Sequence, residues 1–195
     1  GNHDHELLEA WHCVGRFARG LEGYKQNALF QVSAEDIRWL QELPLTLSFP
    51  WLSLVVVHAG LVPGAPLERQ TFKDLLWLRD VRLAGQGDSG SWVGMANSEE
   101  GSLQWASMWK GPEHVVFGHD ARRKLQNHKF ATGLDSGCCY GFHLSALVVD
   151  PDDFSQRRLV QVPAMKMYSM PKDGSGAAKV KAPFTGALGP VAAGA

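Results

Sequence analysis

Apolar residues recur at helical spacing near the start of the chain. Spacings of four, three, four and three residues connect Leu7, Trp11, Val14, Ala18 and Leu21. This periodicity predicts an amphipathic helix that packs one face on a core and ends near Gly20. Asp4 is its predicted N-cap, because a carboxylate can accept hydrogen bonds from the free amides of a first helical turn.

A second helix is predicted from capping residues. Ser33 precedes Ala-Glu-Asp, so Asp36 occupies the position of the acidic residue in a capping box. Ile37 and Leu40 supply the buried stripe, and Pro44 ends the helix because proline cannot continue it. A third, short helix is predicted to begin at Thr71.

The remaining apolar runs are short and of β type. Leu45–Phe49 alternates weakly, whereas Leu52–Val57 is almost wholly apolar, as in a strand covered on both faces. Further strands are predicted at His114–Phe117, Lys129–Gly133, His143–Val149 and Leu159–Val162. Because strands first interleave with helices and then follow one another directly, the pattern predicts a mixed α/β (α+β) fold, a β-sandwich flanked by helices.

Two segments lack periodicity. Gly85–Gly101 is rich in Gly and Ser and is predicted to form a long surface loop. Residues 171–195 are dominated by Gly, Ala, Pro and Lys and are predicted to be a disordered tail. The predicted domain therefore comprises residues 1–170.

Composition narrows the possible classes. The 195 residues are 45% hydrophobic and include seven Trp, as expected of a chain with a packed core. A formal charge of −1 gives no reason to expect nonspecific nucleic-acid binding or attraction to acidic membranes. Because two of the three cysteines, Cys138 and Cys139, are adjacent and rarely bridge, we expect a reducing, cytoplasmic location.

Polar residues follow two of the apolar runs and also begin the chain. His58 comes directly after a predicted strand, His119 comes one residue after another, and Asn2 and His3 lie at the start of the chain. Amide oxygen and neutral imidazole nitrogen suit a borderline divalent metal. The other five histidines are interpreted as structural: His5, His12, His114, His128 and His143.

These residues lie in motifs that resemble a known family. Gly1-Asn2-His3-Asp4, Val57-His58-Ala59-Gly60 and Gly118-His119 match the three later motifs of the calcineurin-like metallophosphoesterases, in their phosphoprotein-phosphatase branch. Three longer stretches resemble the ApaH-like group, which is related to diadenosine tetraphosphatase: Asp74–Asp80, Gly111–Arg123 and Ala131–Cys138. The resemblance covers roughly residues 1–150.

The resemblance implies a mechanism. Asn2, His58 and His119 would ligate one of two divalent ions (Mn, Fe or Zn), and His3 would donate a proton to the leaving oxygen. A hydroxide bridging the two ions would attack phosphorus. The resemblance to the ApaH-like group favours a nucleoside polyphosphate as substrate, with other phosphorylated small molecules and phosphoproteins as further possibilities.

The chain also departs from the family. The motifs G-D-x-H-G and G-D-x-x-D-R-G, which supply the second metal's ligands, occur nowhere in it. We therefore interpret it as an N-terminally truncated member with at most one partial metal site and weak activity of its own. We also expect the Leu52–Val57 strand to lack neighbours and to present an open apolar edge that favours association.

Three arginines are candidates for substrate binding. Arg79, Arg122 and Arg123 lie in the family-like stretches, and a guanidinium fork fits two phosphate oxygens at once. The alternative is an ion pair with Asp80 or Asp120. Three tryptophans beside the predicted loop could stack a nucleobase, although core packing is the favoured interpretation for each: Trp92, Trp105 and Trp109.

Two other functions remain open at this point. The shared core motifs are compatible with a protein serine/threonine phosphatase. A truncated, inactive binding module would keep the same scaffold without the chemistry. Upstream sequence that contains both absent motifs would favour the enzyme.

Overall fold

The chain divides into two units, Gly1–Leu45 and Thr46–Ala195. The structure is a computed structural model that describes residues 1–13, 31–84 and 91–171. Each unit is described by itself.

In the part of the first unit that the structure describes there are two helices, α1 (Asn2–Cys13) and α2 (Ala34–Glu42). The prediction of Asp4 as N-cap is wrong, since α1 already begins at Asn2. Asp4 instead lies in the first turn, where its carboxylate accepts a hydrogen bond of 2.6 Å from the backbone nitrogen of Gly1. The predicted continuation to Gly20 lies outside the described residues.

The capping box of α2 is confirmed. The Ser33 hydroxyl accepts from the Asp36 amide at 3.1 Å, and the Asp36 carboxylate accepts from the Ser33 amide at 2.7 Å. Ile37 is buried, as the apolar stripe predicts. A hydrogen bond of 2.9 Å between the side chains of His12 and Gln41 links α1 to α2.

The second unit is built on a five-stranded mixed sheet in the order β1-β2-β6-β8-β7. Its strands are β1 (Thr46–Phe49), β2 (Leu54–Val57), β6 (His114–Phe117), β7 (Gln126–His128) and β8 (Ala131–Gly133). The central strands β2, β6 and β8 run parallel, while β1 and β7 are antiparallel to their neighbours. The carboxyl ends of the three parallel strands therefore meet at one edge of the sheet.

The expectation of an unpaired apolar strand is wrong. Leu54–Val57 is paired on both sides, antiparallel to β1 and parallel to β6. Its continuous run of apolar residues reflects this central position, because an interior strand with both faces covered needs no polar side chain. The core of the unit forms around it and includes Val55, Val57, Val115, Phe117 and Trp105.

The prediction that Gly85–Gly101 forms one long loop is also wrong in part. Ser91–Met95 forms strand β4, which pairs antiparallel with β3 (Asp80–Ala84), and β3 also pairs with β5 (Leu103–Gln104). Residues 85–90 lie outside the described part. Gly94 allows the close contact of this sheet with a helix, since a Cβ there would come within 2.0 Å of the Asp74 carboxylate.

The other elements follow the sequence pattern closely. Helix α3 (Phe72–Trp77) has Thr71 as its N-cap, as predicted, and a short helix α4 (Trp105–Met108) follows β5. Strands β9 (His143–Val149) and β10 (Arg157–Pro163) form an antiparallel pair. The predicted tail lies outside the described residues, apart from Pro171. Among the helices that are described, none is long and apolar enough to cross a membrane.

Candidate active site at the carboxyl ends of the parallel strands

The structure brings His58 and His119 together. His58 directly follows β2, and His119 follows β6 after one glycine. Because these strands are parallel neighbours in register, Leu54 opposite His114, their carboxyl ends lie side by side. The two imidazole rings are in edge contact, with 5.1 Å between their centroids and 60° between their planes.

The backbone at His119 adopts an unusual conformation. Its φ is +65°, in the left-handed region that residues other than glycine seldom occupy. Two short contacts accompany this turn. The Gly118 amide donates to the His58 carbonyl oxygen at 2.9 Å, which ties the two strand ends together, and the Asp120 amide donates to the Gly118 carbonyl oxygen at 2.7 Å.

The turn after His58 requires a glycine. A Cβ on Gly60 would lie 2.5 Å from the indole of Trp105, a distance that no side chain can accept. Trp105 is only 1% exposed and belongs to the core. The small residues after His58 therefore let the chain pass directly over a buried tryptophan.

Asn2 and His3 belong to the first unit, where they open α1. The Asn2 side chain is buried and that of His3 is exposed. Their roles as metal ligand and proton donor stay predictions.

Among the described residues, the imidazoles of His58 and His119 are candidate donors to a metal at this edge. They suit a borderline divalent ion. No group of three or more His, Cys, Asp or Glu side chains that could hold a metal occurs among the residues that the structure describes. A complete ligand set would therefore need donors of another type or residues from beyond this part of the chain.

Beside His119 lies a buried ionic cluster. Arg123 donates to the carboxylate of Asp120 at 2.6 Å and to that of Asp80 at 2.7 Å. Arg79 places its Nε 3.7 Å from the second oxygen of Asp120, and its Nη1 donates to the Ala96 carbonyl oxygen at 2.8 Å. The ion pairs considered as the alternative for Arg79 and Arg123 are thus present, and both guanidinium groups are engaged by carboxylates.

Arg122 has a different environment. Its side chain is exposed, and no carboxylate within the described ranges lies at ion-pair distance from it. Burial lowers the pKa of Arg79, and the negative charge of Asp120 opposes this effect. The positive charge of Arg122 lowers the pKa of Arg79 further. Of the three candidate arginines, Arg122 is the one whose guanidinium is open to solvent.

Asp135 follows the third parallel strand, β8. Its carboxylate accepts a hydrogen bond of 3.1 Å from the Gly137 amide, so it braces the turn that leads to Cys138 and Cys139. Burial raises the pKa of Asp135, and the nearby negative charge of Asp120 adds to this effect. The two cysteines form no disulfide.

The tryptophans pack as the favoured interpretation predicts. Trp105 is in the core, and Trp92 and Trp109 are partly buried against it. The Trp109 indole N–H donates to the Glu113 carbonyl oxygen at 2.9 Å, which satisfies its polar atom.

Sequence reasoning missed how Asp80 is held. Its carboxylate also accepts from the Ser102 hydroxyl at 3.0 Å, and Arg123 reaches the Ser98 hydroxyl at the same distance. Ser98 lies in the stretch predicted as a loop, and Ser102 directly follows it. Their spacing from Arg123 along the chain carries no pattern that would reveal the contact.

Comparison with known proteins gives a likeness to a solved structure. No protein-family model matches the chain, and no curated protein matches it at a significant level. A solved structure of "a putative diadenosine tetraphosphatase" is similar, with a TM-score of 0.70 and 32% sequence identity. The match covers 84% of this chain, and the chain spans 66% of the length of that protein. This likeness supports a relation to the metallophosphoesterases of that kind, and the chain has a mixed α/β fold like theirs.

Proposed function

We propose that this chain is part of a metal-dependent phosphatase that hydrolyses a phosphoanhydride or phosphoester, with a nucleoside polyphosphate as the favoured substrate. The contact between the His58 and His119 rings, 5.1 Å apart at adjacent strand ends, is the observation that carries the proposal. The name of the similar structure, a diadenosine tetraphosphatase, supports the choice of substrate class.

The two histidines would act as metal ligands. Both rings stand at the edge where three parallel strands end, a position where open sheets commonly bind ligands. Asn2 is the proposed third ligand, by resemblance. When bound, divalent ions acidify water and neutralise the charge of the attacked phosphoryl group. The ligands of a second ion would come from a longer natural chain, and this extension is part of the proposal.

Arg122 is the arginine that we propose for binding substrate phosphate. Its guanidinium is exposed three residues after His119, whereas those of Arg79 and Arg123 are already paired with buried aspartates. A planar fork can contact two oxygens of one phosphate. His3 is the proposed proton donor to the leaving oxygen, because a histidine side chain can pass a proton to a reacting group.

The test separates a ligand from an acid. Mn²⁺ content and hydrolysis of diadenosine tetraphosphate are measured for the 195-residue chain, and for the same chain extended by the sequence encoded before Gly1. We expect His119→Ala to lose metal and activity together. His3→Ala should keep its metal and lose about 10²–10⁴-fold in turnover, the usual contribution of a general acid.

His143→Ala is the matched control, because His143 is an exposed residue of β9 and lies in none of the motifs. It should keep both metal and activity. Full Mn²⁺ binding by His119→Ala would refute the proposed site. Equal metal loss in His3→Ala and His119→Ala would refute the division of roles between them.

A further inference from the structure

A continuous set of ionic contacts runs from the three-stranded sheet to the turn at His119. We call it the Asp–Arg chain: Asp80, Arg123, Asp120 and Arg79. Arg123 is its centre and donates to Asp80 at 2.7 Å and to Asp120 at 2.6 Å. Asp80 opens strand β3, while Asp120 directly follows His119. The contacts therefore join two parts of the unit that are 40 residues apart in sequence.

Burial makes these contacts obligatory. The carboxylates of Asp80 and Asp120 are 2% and 4% exposed, and a buried carboxylate that loses its charged partner is strongly unfavourable. Arg123 donates one hydrogen bond to each of them because its planar fork presents separate N–H groups to two acceptors. A lysine in its place would keep the charge but could not reproduce this geometry.

The turn at His119 needs such support. Its left-handed φ of +65° is intrinsically unfavourable for a residue with a Cβ, so surrounding contacts must hold it. Asp120 is fixed on both sides of the turn: its amide donates back to Gly118, and its carboxylate is held by Arg123. Constraining Asp120 in this way constrains the direction in which the His119 side chain leaves the backbone.

We propose that Arg123 is a positioning residue for the candidate metal site. Through Asp120 it holds the left-handed turn that sets the His119 ring beside that of His58, and Asp80 anchors it to β3. The inference rests on the proposed function. It assigns Arg123 a role different from phosphate binding, since both sides of its fork are occupied by carboxylates.

Co²⁺ alone is the probe, because its visible absorption spectrum reports ligand geometry as well as binding. Arg123→Lys retains the charge and removes the fork. We expect about 10–100-fold weaker Co²⁺ binding, the usual cost of losing a group that orients a metal ligand, and an altered spectrum. Asp80→Asn should also weaken Co²⁺ binding. Asp80 contacts Arg123 and not the turn, so its effect would have to pass through Arg123.

Arg82→Lys is the matched control. Arg82 lies on the same strand as Asp80 and pairs with Glu99 at 3.6 Å, but both side chains are more than half exposed. Its substitution should leave Co²⁺ affinity and the spectrum unchanged. All variants are compared at a temperature at which thermal unfolding curves show each to be folded. If Arg123→Lys does not fold, the shape-conserving Asp80→Asn variant carries the test.

The outcomes distinguish the two proposals. In one outcome the unaltered chain binds Co²⁺ and His119→Ala does not, but Arg123→Lys and Asp80→Asn bind it within twofold of the unaltered chain. This result overturns the positioning role alone. Equal weakening in Arg82→Lys also overturns it, because the effect would then not depend on the buried contacts. An unaltered chain that binds Co²⁺ no better than His119→Ala overturns the proposed metal site and the positioning role with it.

Discussion

Buried His114 should make the second unit sensitive to mild acid. The residue opens β6, is 6% exposed and forms a hydrogen bond of 2.8 Å with the Thr132 hydroxyl. Its ring lies 4.9 Å from that of Phe154. Burial, and after it the positive charge of Arg157, lower the pKa of His114 from 6.5 to about 4. The prediction of a structural role for this histidine is confirmed by its buried hydrogen bond.

The sign of the effect follows from which state binds the proton. In the unfolded chain His114 takes up a proton as the pH falls through 6.5, whereas in the folded chain it stays neutral until about pH 4. The unfolded state therefore gains relative stability across this window. A pKa difference of this size lowers the free energy of unfolding by about 2 kcal/mol at pH 5 and by about 3 kcal/mol at pH 4.

Urea unfolding between pH 7.5 and pH 4 measures this loss. The comparison variant is His114→Gln, whose amide can still meet the Thr132 hydroxyl but does not titrate. Its free energy of unfolding is subtracted from that of the unaltered chain at each pH, which cancels the contribution of other groups. We expect the difference to fall by about 2 kcal/mol from pH 7 to pH 5.

His143→Gln is the control for removing a histidine as such, because His143 is exposed on β9. The His114→Gln difference should fall with pH by more than the His143→Gln difference does. A His114→Gln difference that does not change with pH would refute the reasoning, since it would mean that His114 has the same pKa in the folded and unfolded chain.

Two further predictions concern packing at Gly60 and the N-cap of α2. Gly60→Ala should lower the free energy of unfolding by about 1–3 kcal/mol, because the added Cβ would lie 2.5 Å from the Trp105 indole. Gly118→Ala places its Cβ at an ordinary 3.6 Å from the nearest atom and should cost less in the same urea titration; the reverse order would contradict the packing argument. Ser33→Ala should destabilise α2 by about 1 kcal/mol through loss of its N-cap, seen as faster hydrogen exchange of the α2 amides. Exchange no faster than in Glu35→Ala, a change that leaves the cap intact, would refute that role.

Local elements were largely determined by the sequence. The capping box of Ser33 with Asp36 and the N-cap at Thr71 were readable because their partners lie three residues away along the chain. The apolar run that became β2 was readable for the same reason, since a strand buried on both faces needs no distant information to be recognised. Even here the sequence predicts too late a start for the first helix, because an aspartate such as Asp4 is common both at an N-cap and in a first turn.

The candidate site was predicted only in part. The sequence predicts that His58 and His119 lie at the ends of neighbouring strands, because each belongs to a motif that follows an apolar run. The parallel pairing of β2 with β6 agrees with this prediction. Their ligand roles, and those of Asn2 and His3, remain predictions.

The tertiary structure alone decided which strands are neighbours and which charges are paired. Ser91–Met95 lies within the Gly- and Ser-rich stretch 85–101, whose composition favours a loop, and it forms a strand because β3 supplies its hydrogen-bond partners. The choice among three arginines was equally hidden, since Arg122 and Arg123 are adjacent and chemically identical. Burial of Asp80 and Asp120 selects Arg123 as their partner and leaves Arg122 at the surface. Strand pairing and the pairing of buried charges both join residues far apart in sequence, and their energies depend on distances that only the folded chain fixes.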